Sequence, residues 1–448
     1  MGTGNRLGDR LTTSALHPEV LVIGAGISGI ALAVGLHQKG IRVLLVERDL
    51  TVRDRFKGEF LQPYTVSVLR ELGLCDVFEN AEAVKIRELR FRDLSTQADT
   101  LIRYPDSTYA YSIPHRSMLE GLREKARAVL GGRFIEGAVL EPLGLESSGF
   151  YKQPRFSIKG RGIITPQWVV GCDGRQSTVR AWMKGPKAPA NGAPTLGAKP
   201  EFLVGLETEQ TLALSSRYEV IRTKNSGTVS VFSLGNNRQR IYWNAPAIKE
   251  VSNKTAWENA LKNILTEVSP KVTVQSKQLA TLNFEKVVGA PADTAWLGPV
   301  SREKILLAGD SLAVTTPLGG QGMTCGMYHV SSLLRLLPTA CKTKGIQNRV
   351  ATVRLRTVYE MESKYWFKRV NLLNLGLYYL FFARGKGFKW VTQHVLNIWN
   401  QHPEMRDRVG ALFGGNDQDI PGIFEVLKLW GMTPAFDLNR ILRGKTIR

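Results

Sequence analysis

The chain has 448 residues, 43% of them hydrophobic, enough for one large domain or two to three smaller ones with an ordinary core. A formal charge of +21 leaves four readings: nucleic acid, an anionic membrane surface, anionic small molecules, or a solvated basic surface. The sequence lacks an aromatic–basic repeat of the RNA-binding kind, a run of the ~18 apolar residues that a transmembrane helix needs, and any C-x-x-C among Cys75, Cys172, Cys325 and Cys341. A cytoplasmic chain with no specific nucleic-acid partner is expected. Residues 1–17 are polar and basic, have no apolar h-region, and read as a loose arm rather than a secretory signal.

The first ordered stretch is the most informative. Val20–Ile23 is a short β-branched run, long enough for a buried strand and too short for a helix. Gly24, Gly26 and Gly29 follow as G-x-G-x-x-G. Gly24 permits the turn, Gly26 lets a pyrophosphate approach the backbone, and Gly29 lets the next helix pack close to the sheet. A helix runs over Ser28–Lys39 and Gly40 stops it. Its N-terminal amides and positive dipole end suit phosphate. Ile41–Val46 reads as a second parallel strand, with Glu47 at its end, placed to accept hydrogen bonds from ribose hydroxyls. The alternative is an ordinary structural turn.

Further along, Thr65–Leu72 reads as a short helix closed by Gly73. Ile86–Asp93 and Thr100–Tyr104 alternate as a hairpin, and Pro114–Leu130 is a helix with Arg116 in its first turn. Phe134–Leu140, Arg155–Lys159 and Gly162–Ile164 read as strands. Trp168 opens a buried strand that leads through Cys172-Asp173-Gly174 into a helix start near Arg180. Residues 185–200 have linker composition. Tyr218–Thr223, Thr228–Ser233 and Gln239–Asn244 read as antiparallel strands, with a helix over Lys254–Glu267. Lys304–Leu307 is a strand ending in Gly309-Asp310. A loop from Pro317 to Met323 leads into a helix over Thr324–Leu337, and the remainder is helical, basic and aromatic.

Three motifs stand in order: the glycine turn with Glu47, the Asp173-Gly174 segment, and Gly309-Asp310 followed by Pro317. Together they resemble the class A flavoprotein monooxygenases of the para-hydroxybenzoate hydroxylase fold, over about residues 19–340. Gly58-Glu-Phe-Leu-Gln-Pro63, Gly322-Met-Thr324 and, more loosely, Val370–Phe382 are similar to stretches of squalene epoxidases and related polycyclic and quinone-ring hydroxylases. Two positions depart from that pattern: Ala313 stands where many members have His, and His329 stands near a common Asp.

The resemblance implies an α/β (α+β) fold, with a Rossmann-like FAD domain of the glutathione-reductase type, an inserted antiparallel-sheet substrate domain and a helical C-terminal region. The expected boundaries are 18–85, 105–185 and 295–345 for FAD, 86–104 and 186–294 for substrate, and 346–448 for the helices. It assigns non-covalent FAD to Gly24, Gly26, Ile27, Ser28, Gly29, Glu47, Arg48, Arg116, Asp173, Asp310, Pro317, Gly319, Gly320, Gln321, Gly322 and Met323. Asp310 would accept a ribitol hydroxyl, or else cap a helix. The Gly319–Gly322 amides would stabilise charge on reduced flavin.

With a single G-x-G-x-x-G, NADPH or NADH would dock on the surface near Asp173, whose alternative is a structural turn. Oxygen would then react at flavin C4a and pass from a hydroperoxide to a large apolar substrate. Glu59, Gln62, Tyr242 and Trp243 are the candidates facing that substrate, and sheet packing is the alternative for the last two. A prenyl-chain flavin reductase is the competing function. Its aromatic-x-Trp-x-Phe-Pro motif is not matched by Tyr242–Pro246, and the halogenase Trp-x-Trp-x-Ile-Pro is absent. The apolar run Val370–Ala383 and the following Phe388, Trp390, Val391, Val395, Leu396 and Trp399, flanked by cations, suit a helix in an anionic membrane interface, or a lid over the substrate cavity.

Overall fold

The computed structural model describes residues 17–53, 59–79, 83–105, 108–148, 151–184, 294–382 and 386–415, with shorter stretches between 202 and 291 and Leu429. The expected linker at 185–200, Gly58 and most of the expected helix over 254–267 lie outside the described residues.

The organising element is a six-stranded sheet. Its order is Ser301–Arg302, Ile305–Leu307, Trp168–Gly171, Val20–Ile23, Val43–Glu47 and Phe134–Glu136. The inner pairs are parallel and only the Ser301 edge is antiparallel. Parallel strands are covered on both faces, so they appear as unbroken apolar runs rather than as alternation. Val20, Leu21, Val22, Leu44 and Leu45 are fully buried. Helix α1 (Ile27–Gln38) connects the first two strands, and its buried face continues the same core through Ile30, Leu32, Ala33 and Val34.

A second sheet of seven strands runs in the order Val288–Pro291, Phe202–Thr208, Arg238–Asn244, Thr228–Gly235, Arg217–Arg222, Glu88–Asp93 and Ala98–Arg103. Its pairs are antiparallel as expected, with one exception: Arg217–Arg222 pairs parallel with Glu88–Asp93. Those strands come from distant parts of the chain, and period-two alternation sets which face is buried but not which way a partner runs. Val84–Ile86 is a separate short strand, pairing Ala110–Ser112, which also pairs Phe60–Leu61. Helix α2 (Pro63–Glu71) follows that last strand, and α3 (His115–Leu130) follows Ala110–Ser112. Leu140–Ser148, largely unassigned in the sequence, pairs with Tyr151–Ile158 in a hairpin. A short helix, α4 (Thr178–Lys184), follows the Asp173 segment.

The C-terminal part is helical. Helix α5 (Gly322–Lys342) starts earlier and ends later than expected and continues through Pro338. Helix α6 (Gly345–Leu377) runs into a π-turn at Tyr378–Phe382, and α7 (Lys386–Gln401) and α8 (Pro403–Gly414) follow. Of the two readings of the C-terminal apolar stripe, membrane interface or packed lid, most of the described stripe residues take the packed one. Leu377, Leu380, Phe381, Phe382, Val395, Leu396 and Trp399 pack in one cluster with Leu89, Phe91, Tyr218 and Phe232 of the large sheet. The sheet has one apolar face to cover, and these residues cover it. Thr100 donates to the Leu396 carbonyl (2.9 Å) and Asn400 to the Asp99 carbonyl (2.7 Å), pinning α7 across the sheet edge. Trp390 stays 61% exposed on the other side of α7. Among the described residues no helix is long and apolar enough to cross a membrane.

Candidate cofactor and substrate site

The glycine turn has two kinds of glycine. Gly24 has φ +103°, and a Cβ there would lie 2.6 Å from the Cys172 carbonyl oxygen; one on Gly29 would lie 1.9 Å from the Gly24 oxygen. Both are demanded by packing between adjacent strands and α1. Gly26 is different: a Cβ there would meet nothing within 4 Å. It begins α1, which has no capping side chain and no acid in its first turn. Uncapped amides beside open space form an anion cradle. Across from it, Glu47 accepts the Ala25 amide (2.8 Å) and the Asp49 amide (2.9 Å), with buried Arg123 3.5 Å away. This arrangement fits the pyrophosphate and ribose of a dinucleotide. Arg48 and Arg116 are both 57% exposed, paired with Asp49 and with Glu120.

The Cys172-Asp173 backbone packs on Gly24, and the Gly309 motif meets the glycine turn at Ser28. The Ser28 hydroxyl would lie 3.0 Å from a Cβ on Gly309 and 2.6 Å from one on Gly326, so it sits close against both backbones. The Gly309–Ser311 turn, with φ +63° at Gly309, is held from below. Ser311 donates to the Gly171 carbonyl (2.6 Å), Arg180 donates to the Ser311 carbonyl (2.8 Å), and Tyr359 donates to the Leu307 carbonyl (2.6 Å).

His329, fully buried on α5, accepts the Gly309 amide on Nδ1 at 3.1 Å. Burial lowers its pKa from 6.5 to about 4, so the ring is neutral with its proton on Nε2. Asp310 is half-buried in the same turn. Burial chiefly, and then the Asp310 charge, push the Cys325 thiol up to about 12. One oxygen of Asp173 accepts the Thr178 amide (2.7 Å), the Thr178 hydroxyl (2.9 Å) and the Val179 amide (3.2 Å), which ties down the start of α4.

The loop Pro317–Gly319 and Gly320, with φ +62°, lead to α5, which also starts with no capping side chain and no acid in its first turn. The Gln321 side chain donates to the Phe413 carbonyl (2.9 Å) and so ties the loop to the end of α8. Gln62 meets the loop from the other side: its amide donates to the Gly319 carbonyl (3.1 Å) and its oxygen accepts from the Tyr104 hydroxyl (2.7 Å). Between them lies a small cavity of about 20 Å³, bounded by Phe60, Gln62, Phe91, Tyr218, Gly319 and Phe413.

Glu59 is not free to act as a base. It is clamped by Arg240 through two bonds of 2.7 and 2.6 Å and accepts the Tyr242 hydroxyl at 3.0 Å, with Arg240 and Glu59 side chains only 4% and 2% exposed. Burial and the Glu59 charge hold the Tyr242 phenol well above its usual range, so it stays a donor. Trp243, next along the strand, faces the opposite side of the sheet and is buried. Gln62 therefore reaches the cavity, Glu59 and Tyr242 form a clamped cluster, and Trp243 joins neither. Arg240, Tyr104 and His329 were not among the expected site residues. Arg240 had no clear local signal, since its strand, Arg-Gln-Arg-Ile-Tyr-Trp-Asn, is polar over half its length.

The family model described as an FAD binding domain matches residues 17–354. The chain belongs to this FAD-binding family. Among curated proteins, this flavoprotein is 26% identical over 389 residues to squalene monooxygenase of Rattus norvegicus, covering 83% of this chain and 63% of the relative. It is 27% identical over 342 residues to squalene epoxidase 3 of Arabidopsis thaliana, covering 74% of this chain and 62% of that protein. The chain thus spans a little under two thirds of the length of these relatives. In fold, it resembles p-nitrophenol 4-monooxygenase PnpA of Pseudomonas putida DLL-E4, with a TM-score of 0.70 at 16% identity over 90% of this chain and all of that one.

Proposed function

We propose that this flavoprotein is a monooxygenase that takes electrons from NADPH or NADH and uses O2 to hydroxylate or epoxidise a large apolar substrate of isoprenoid or polycyclic type. One observation carries the reading: the flavin loop at Gly319 is itself a wall of the apolar cavity. A substrate between Phe60, Phe91, Tyr218 and Phe413 would lie directly against that loop. FAD, when bound, supplies the activation of oxygen. Gly24–Gly29 and Glu47 would hold its adenosine diphosphate half, Asp310 its ribitol, and the Gly319–Gly322 amides the flavin edge that gains negative charge. The remaining protein tasks are orientation and exclusion of water. The cavity walls perform both, and Gln62 fixes the loop by its bond to Gly319. At about 20 Å³ the cavity has room for little more than a water, far below the ~300–1,000 Å³ usual for drug-sized ligands, so a large substrate enters by displacing Leu377 and Phe413 of the helical cover.

The test is nicotinamide oxidation by the purified holoprotein with a panel of apolar candidates, alongside oxygen uptake and product analysis. Substrate-stimulated oxidation coupled to oxygen uptake, with one oxygen atom found in product, is expected. Reduction of a substrate double bond under strict anaerobiosis would instead establish the prenyl reductase.

A further inference from the structure

We propose that Arg70, Lys85, Arg87 and Tyr109 form a phosphate-binding site separate from the glycine turn. Arg70 closes α2, Lys85 and Arg87 lie in and just after the Val84–Ile86 strand, and Tyr109 immediately precedes Ala110–Ser112. The Arg70 and Arg87 guanidinium carbons and the Lys85 ammonium lie 5.6, 5.8 and 5.0 Å from the Tyr109 ring centre. Arg70 also donates to the Tyr109 hydroxyl at 2.9 Å. All three cations are exposed, and among the described residues none of the three forms an ion pair.

The surface arginines near them on the adjoining strands, Arg90 and Arg103, each meet an acid instead. A tyrosine ring attracts a cation to its face, but three cations about one ring repel one another. An anion between them removes the repulsion, and forked guanidinium donors with an ammonium are the groups that phosphate takes. The platform is also firm. Tyr109 abuts Tyr111 edge-on at 5.2 Å, and Tyr111 is 2% exposed and stacked on Phe78.

Two sources share this chemistry: the 2′-phosphate of NADPH, and free phosphate or pyrophosphate. Helix α2 leads from Pro63, next to Gln62 at the cavity, to Arg70, about 10 Å at 1.5 Å per residue, within the span of a dinucleotide. The NADPH source rests on the function proposed above; the anion site does not.

The experiment is calorimetric binding of pyrophosphate, adenosine 2′,5′-bisphosphate and 5′-ADP to the FAD-loaded protein at low and high salt. The same titrations are made on Lys85→Gln/Arg87→Gln and on Tyr109→Leu, with flavin content and melting temperature recorded. Binding that weakens at least tenfold in the double variant, with flavin content unchanged and the salt dependence reduced, is expected. Preference for the 2′,5′-bisphosphate over 5′-ADP, with KM raised for NADPH and unchanged for NADH in the variant, assigns the NADPH source. Equal affinity for pyrophosphate and the bisphosphate assigns free phosphate. No binding of any of the three, or equal binding by wild type and double variant, overturns the site. If neither nicotinamide is oxidised, the titrations still decide the anion site, and only the function above falls.

Discussion

At the scale of single residues, Gly24, Gly29 and Gly26 share a turn but answer to different forces. Gly24→Ala and Gly29→Ala drive a methyl group into backbone oxygen, so both variants are expected to fold poorly or not at all. Gly26→Val puts its branch into open space on a backbone any residue can adopt, with φ −77°. Folded protein that melts normally but carries no flavin is the expected result; full flavin content by absorbance would sink the dinucleotide cradle. His329 gives a pH signature. Its folded pKa, about 4, lies below its ordinary 6.5, so between those values the unfolded chain binds the extra proton. Its contribution is complete above pH 6.5 and falls by about 1.4 kcal/mol per pH unit on acidification towards 4. His329→Asn can keep an acceptor for the Gly309 amide without titrating. Denaturant unfolding at several pH values should show a shallower acid slope for that variant, with flavin retained. His329→Leu should lose flavin affinity, since the Gly309–Asp310 turn loses its acceptor.

At the scale of elements, the joint between the small Phe60 strand and the large sheet is a buried ion pair. Arg240→Met leaves Glu59 charged, buried and unmatched, which costs about 3–5 kcal/mol; replacing both partners by apolar residues recovers most of that. Urea unfolding of the single and double variants checks it. Equal loss in both would show that packing, not charge, governs the joint. Helix α7 offers a second contrast. Trp399→Ala is expected to cost about 3–5 kcal/mol because the ring is 3% exposed and donates to the Leu429 carbonyl. Trp390→Ala, at a site 61% exposed, should change stability by no more than about 0.5 kcal/mol.

At the scale of the molecule, the charge of +21 has less to do with apolar membrane insertion, since most of the described apolar stripe offered for it packs on the large sheet. Any adhesion to anionic vesicles is then purely electrostatic and screened by salt. Flotation should show binding at low ionic strength that is abolished at high salt. Salt-resistant binding would mean that α7 or the π-turn leaves the sheet to meet lipid. The same cover explains how distant segments build one cavity. The Pro317–Gly320 loop, the Phe60 strand, the Tyr218 strand and the end of α8 are remote in sequence and share its wall.

What the sequence determined by itself was the nucleotide half. Strand, glycine turn, helix and acid are local, each step is set by neighbours a few residues away, and the parallel core announces itself as unbroken apolar runs. The order of the Asp173 and Asp310 motifs was legible for the same reason. The structure alone decided the rest, because those contacts are long-range. Glu59 and Arg240 pair across 181 residues, Gln62 and Gly319 across 257, and Gln321 and Phe413 across 92. No local pattern distinguishes an apolar helix face that meets lipid from one that meets a sheet. That choice belongs to the apolar surface the large sheet leaves uncovered, and the C-terminal helices cover it.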